Sequence, residues 1–151
     1  MSRGPAGGLS TIGFDADDTL WHNERVFRLT EERFAAMLGD HAPAPDVSQR
    51  LLAAERRNLQ LYGYGIKGFT LSMIETAIEL SGGKVPAAVI EAILTIGREM
   101  LQHPVETLPD VEATLHRLKD AGYRLVLVTK GDLLDQEQKL AKLLDETRDK
   151  F

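Results

Sequence analysis

Two short apolar runs near opposite ends of the chain constrain its fold more than any other feature. The first, Leu9-Ser10-Thr11-Ile12-Gly13-Phe14, leads directly into Asp15-Ala16-Asp17-Asp18-Thr19. The second, Tyr123-Arg124-Leu125-Val126-Leu127-Val128, leads into Thr129-Lys130-Gly131-Asp132. Short apolar runs that end in polar and glycine residues suit parallel strands covered on both faces by helices. Ligands of such sheets bind beyond the carboxyl ends of the strands, and both polar clusters sit at that end. The expected class is therefore α/β, with a parallel sheet.

Between the two runs the pattern turns helical. Phe27, Phe34, Met37 and Leu38 follow helical spacing, as do Leu52, Leu59 and Tyr62. Met73, Ile74, Ala77 and Ile78 form a third stripe, and Ile90, Ile93, Leu94, Gly97 and Leu101 a fourth. Pro43 and Pro45, then Gly63, Gly65 and Gly68, then Gly82-Gly83 punctuate the series, and Pro86 suits a first helical turn. Residues 22–105 thus read as an inserted four-helix domain. A further helix is expected from Pro109-Asp110, closed by Gly122 as its C′ residue, and a last one over about 132–147. Residues 1–21 and 106–151 would then form the α/β core. Two strands are few for a covered parallel sheet. The expectation is an incomplete core: a fragment, or a sheet finished by another chain, with self-association through the open sheet as one consequence.

Composition narrows the function. The absence of cysteine excludes a disulfide framework, a thiolate metal site and a Cys nucleophile. A formal charge of −5 gives none of the broad positive field that nucleic acid requires. No apolar run is long enough to span a bilayer, so no membrane partner is expected. The opening Met1-Ser2-Arg3-Gly4-Pro5-Ala6-Gly7-Gly8 has no apolar stretch of a signal peptide and reads as a loose tail, which makes a cytoplasmic location the expectation.

Asp15, Asp17 and Asp18 crowd three carboxylates into one strand end. Their mutual repulsion needs a cation or a function to compensate it. Near Mg2+, two carboxylates can divide labour, one as nucleophile or ligand and the other as general acid/base. A solvated turn or a helix N-cap at Asp17, Asp18 or Thr19 is the plainer reading. A calcium loop opening at Asp15 fails, because Leu20 and Val26 stand where glycine and glutamate are required.

Phe14-Asp15-Ala16-Asp17-Asp18-Thr19-Leu20 resembles the DxDxT signature of the haloacid dehalogenase-like (HAD) hydrolase superfamily. Leu127-Val128-Thr129-Lys130-Gly131-Asp132 looks like its second motif, and the helical insertion is similar to the family's C1-type cap. The resemblance runs from about residue 9 to about 145. It implies a Rossmann-like core with a four-helix cap, and a Mg2+-dependent phosphatase acting on a small phosphorylated metabolite. Asp15 would be the nucleophile that forms an aspartyl-phosphate, and Asp17 would protonate the leaving group and later activate water. Asp15's carboxylate and Asp17's main-chain carbonyl would help hold Mg2+, while Thr129 and neighbouring groups, Lys130 among them, would grip the phosphoryl oxygens. Members that remove halides usually lack an Asp two positions after the nucleophile, so the pattern favours a phosphatase.

The family continues with a Lys or Arg and then a further strand ending in acidic residues, and no such strand is expected after Thr129 here. Asp145 and Asp149 read as solvated charge, and Lys130 and Lys139 are the candidates for the missing cation. The alternative is a catalytically incompetent fragment, or an association module lacking the C-terminal half of the site. A receiver-like signalling domain would need a third strand ending in Asp within 22–105, where the pattern is helical. Trp21 and His22 could line a pocket mouth or simply pack, and His41, His103 and His116 show no ligand spacing. The Tyr62–Phe69 stretch is a glycine-rich loop in which Tyr64 and Lys67 are candidate substrate contacts.

Overall fold

The structure, a computed structural model, describes residues 8–147. Residues 1–7, Asp149 and the side chain of Asp145 lie outside what is described. The chain runs β1 (Thr11–Asp15), α1 (Glu24–Met37), α2 (Ala44–Tyr62), α3 (Ile66–Leu80), α4 (Ala87–Gln102), α5 (Val111–Asp120), β2 (Arg124–Val128) and α6 (Leu133–Thr147). The α/β class and the four inserted helices are those expected. Proline opens two of them: Pro43 and Pro86 are the N-cap residues of α2 and α4, where a missing N–H costs nothing. Gly122 ends α5 with φ 89, a left-handed conformation that glycine adopts without strain, and its N–H donates to the Lys119 carbonyl at 2.9 Å.

β1 and β2 pair in parallel, with Thr11 opposite Arg124 and Asp15 opposite Val128. Parallel neighbours cannot be joined by a tight turn, and the intervening helices supply the long crossover. Among the described residues these two strands make the whole sheet. Its apolar side chains are partly covered: Leu125, Val126 and Leu127 are half-buried, and Val128 is 59% exposed.

Two compact units emerge. One holds the described residues through Glu24 together with Val105–Lys130; the other holds Arg25–Pro104 and the described residues from Gly131 onward. Thus α6 groups with α1–α4 and not with the strand it follows. Two lysines tie it there. Lys67 of α3 pairs with Asp132 just before α6, and Lys142 of α6 donates to the carbonyls of Leu101 and His103 at the end of α4 (3.3 and 3.5 Å). A cation at a helix C-terminus also meets the negative end of the helix dipole.

The helical unit has one apolar core, built from Phe34 and Leu38 of α1, Val47 and Leu51 of α2, Phe69 and Met73 of α3, and Ile93 and Ile96 of α4. Phe27 and Phe69 add a tilted aromatic pair with centroids 5.0 Å apart. The α2 stripe expected from the sequence is wrong. Leu52, Leu59 and Tyr62 face outward, while the buried face is Val47, Leu51, Ala54 and Asn58. The pattern misled because one buried position is polar. Asn58 Nδ2 donates to Ser72 Oγ (3.2 Å) and Glu75 Oε2 (2.9 Å) of α3, so its burial leaves the amide donor satisfied. The same bond, aided by Arg57, holds the Glu75 carboxyl below its ordinary range, with desolvation opposing. Ile78 and Leu94 likewise lie outside the core, at 46% and 39% exposure.

Gly97 of α4 packs tightly against Thr70 of α3. A Cβ there would stand 2.5 Å from Thr70 Oγ1 and 3.0 Å from Thr70 Cγ2. Thr70 cannot turn away without giving up its bond to the Ile66 carbonyl (2.8 Å). Gly97→Ala is therefore expected to destabilise the helical unit by about 1 kcal/mol, overpacking of about 1–3 kcal/mol being offset in part by better helix propensity. Urea unfolding checks this, and in a Thr70→Ala background the same substitution should be neutral or stabilising.

Candidate active site

At the carboxyl end of β1 the backbone turns sharply. Ala16 is fully buried, and its carbonyl accepts the amides of Thr19 and Leu20 at 3.2 and 2.8 Å. Asp18 takes a left-handed conformation (φ 58), tolerated by Asp better than by most residues, and its amide donates to the Trp21 carbonyl at 2.7 Å. The chain then pairs with the segment returning from the insertion. Trp21 bridges both Asp17 and Thr107, His22 N–H donates to the Glu106 carbonyl (2.9 Å), and Leu108 N–H to the Leu20 carbonyl (3.0 Å).

The three carboxylates hold three different sets of donors. Asp15 is exposed, and Thr19 Oγ1 donates to its Oδ2 at 3.1 Å. Asp17 Oδ1 accepts the Trp21 indole N–H at 2.9 Å. Asp18 accepts the amides of Asn23 and Glu24 at 2.9–3.0 Å and so caps α1. An acidic side chain satisfying first-turn amides also complements the helix dipole. Capping thus falls to Asp18. Trp21, offered by the sequence as either pocket lining or packing, is buried at 1% exposure.

The β1–β2 register places Asp15 beside Val128, so Thr129 and Lys130 leave the sheet at the same end as Asp15. Thr129 is half-buried and Lys130 exposed. Asp15, Asp17, Thr129 and Lys130 all belong to the strand-bearing unit, while Tyr64 and Lys67 belong to the helical one. There, Tyr64 is 54% exposed between Gly63 and Gly65, both at positive φ. Lys67 Nζ pairs with Asp132 Oδ2 at 3.3 Å. Asp132 also caps α6, its Oδ1 accepting the Asp135 amide at 3.0 Å. That amide, and then Lys67, hold its carboxyl below the ordinary range against desolvation. Lys139, a candidate for the missing cation, pairs instead with Asp135 at 3.6 Å, its side chain 15% exposed.

Sequence reasoning missed Asp132 and the Trp21–Asp17 bond. An aspartate directly before an apolar helix is a readable N-cap signal. An indole four residues from a carboxylate, outside any helix, carries no such signal.

The resemblance implies Mg2+, which takes hard oxygen ligands and commonly binds through one or two carboxylates together with substrate phosphate. Asp15's exposed carboxylate and the Asp17 carbonyl fit that chemistry in kind. No group of three or more His, Cys, Asp or Glu side chains suited to a metal occurs among the described residues. No helix among the described residues is long and apolar enough to cross a membrane.

Comparison with known proteins fits this geometry. The family model for haloacid dehalogenase-like hydrolases matches residues 9–151. A haloacid dehalogenase-like family hydrolase from Xanthomonas campestris is 47% identical, with a TM-score of 0.84 over 95% of this chain and 61% of its own. A predicted phosphoglycolate phosphatase from Haemophilus somnus 129pt shares 20% identity at a TM-score of 0.52, over 94% of this chain and 61% of its own. L-2-haloacid dehalogenase from Xanthobacter autotrophicus shares 13% at 0.50, over 89% and 51%. At those identities the latter two speak to the fold alone. No curated protein matches the chain. This chain spans 61% of the length of the Xanthomonas relative. With the family model matched from residue 9 onward and a 47% identical relative superimposing on nearly all of it, the chain belongs to the haloacid dehalogenase-like hydrolase family.

Proposed function

We propose that the protein hydrolyses a small phosphomonoester, with Asp15 as nucleophile and Asp17 as general acid and base. The observation that supports this best is the second carboxylate beside the exposed Asp15, held by a donor of its own. An alkoxide leaving group needs a proton, whereas a halide leaves without one, so a positioned acid is of use to a phosphatase and not to a dehalogenase.

In this reading an Asp15 oxygen attacks phosphorus, and the ester P–O bond breaks as Asp17 delivers its proton to the departing oxygen. The carboxylate left on Asp17 then takes a proton from water, whose oxygen attacks phosphorus and displaces Asp15. Inorganic phosphate is released and both aspartates return to their starting forms. Thr19 holds one oxygen of Asp15, which leaves the carboxylate in a fixed orientation. Thr129 and Lys130 supply a hydroxyl and a positive charge at the same strand end, where they would bind phosphoryl oxygens. A Mg2+ ion held by Asp15's carboxylate and the Asp17 carbonyl would offset negative charge at the phosphoryl group.

The test offers one preparation, with Mg2+, a simple alkyl phosphate and 2-chloropropionate in parallel. Phosphate release without chloride release is the expected result, and chloride release without phosphate would refute the reading.

A further inference from the structure

We propose that Trp21 is a positioning residue for Asp17, linking the acid/base to the two segments that carry the chain into and out of the helical insertion. The inference rests on the phosphatase reading for Asp17's role, while the link itself rests on geometry. The Trp21 side chain is 1% exposed, yet its one polar atom has a specific partner, Asp17 Oδ1 at 2.9 Å. Its backbone is held as firmly. Trp21 bridges Asp17 on one side and Thr107 on the other, and the bonds His22–Glu106 and Leu108–Leu20 fasten both crossings around it. Asp18 anchors the same turn to the first amides of α1. The indole is thus a rigid donor with little rotamer freedom to lose.

The chemical consequence concerns orientation. The indole holds Oδ1, which sets the direction from which the Asp17 carboxyl gives its proton to the leaving group and recovers one from water. Without the indole, the carboxyl can rotate about its terminal torsion, which is broad for Asp, and the productive orientation is diluted. Because the donor lies on the paired crossings, a shift of those segments would change Asp17's orientation without touching Asp15.

Trp21 is the sole tryptophan, so its indole N–H gives one resolvable signal. Hydrogen exchange of that N–H, followed by NMR on the 15N-labelled chain, should speed up at least about tenfold in Asp17→Ala and stay slow in Asp17→Asn, which keeps an acceptor oxygen. Turnover provides the second arm. Trp21→Phe should lower kcat on an alkyl phosphate by about tenfold or more, with KM little changed, but should lower kcat on 4-nitrophenyl phosphate, whose leaving group needs little protonation, far less. A merely structural tryptophan would depress both substrates alike, and that result overturns the proposal. So does an indole signal indifferent to Asp17→Ala. A parent chain inactive on both substrates counts against the phosphatase reading alone, and the exchange measurement then decides the link.

Discussion

Asp15→Asn is expected to reduce phosphomonoester turnover to background, a loss of at least about 10^4-fold, with the fold unchanged. The size follows from the role. A nucleophile cannot be partly replaced by its neighbours: Asp17 holds the Trp21 indole and Asp18 is committed to the amides of α1. The amide is nearly isosteric and can still accept the Thr19 hydroxyl, so the turn after β1 keeps its bonds. Circular dichroism and unfolding midpoints matching the parent, beside an initial rate at the buffer blank, would satisfy the prediction. A rate within tenfold of the parent would remove Asp15 from the chemistry.

The second large effect is at Asp17. Asp17→Asn keeps an oxygen for the indole and loses only the transferable proton, so kcat should fall by about 10^2–10^4-fold with KM almost unchanged. The loss should be steepest for alkyl esters and mildest for nitrophenyl esters, because general acid catalysis matters in proportion to the basicity of the leaving oxygen. A uniform loss across leaving groups would instead point to Asp17 binding the substrate and not protonating its product.

These effects concentrate on residues that the sequence exposed most clearly. The strand ends were legible because period and punctuation both marked them, and β1 and β2 do pair so that Asp15 and Thr129 leave the sheet together. The four inserted helices were legible from their breaks. Which face each helix buries was not. In α2 an amide-bearing side chain occupies the core position beside the expected Leu59, and only the facing Ser72 and Glu75 explain why it can. The three aspartates could be recognised as a cluster, and the resemblance gave Asp15 and Asp17 their expected roles, but which residue caps α1 was left open. That needed the partner atoms: a hydroxyl on Asp15, an indole on Asp17, helix amides on Asp18. Nor did connectivity foretell that α6 would group with the inserted helices. Its attachments are Asp132 to Lys67 and Lys142 to the end of α4, pairs that lie far apart in the chain.

As nucleophile, Asp15 must form a bond from a carboxylate oxygen to phosphorus. The most direct measurement is mass spectrometry of the chain, acid-quenched within the first turnovers on 4-nitrophenyl phosphate in Mg2+ and then digested. A phosphoryl group is expected on the peptide bearing Asp15, absent from Asp15→Asn and accumulating in Asp17→Asn, where water activation is slow. Steady phosphate release that continues in Asp15→Asn, with no phosphorylated peptide at any time, would contradict it.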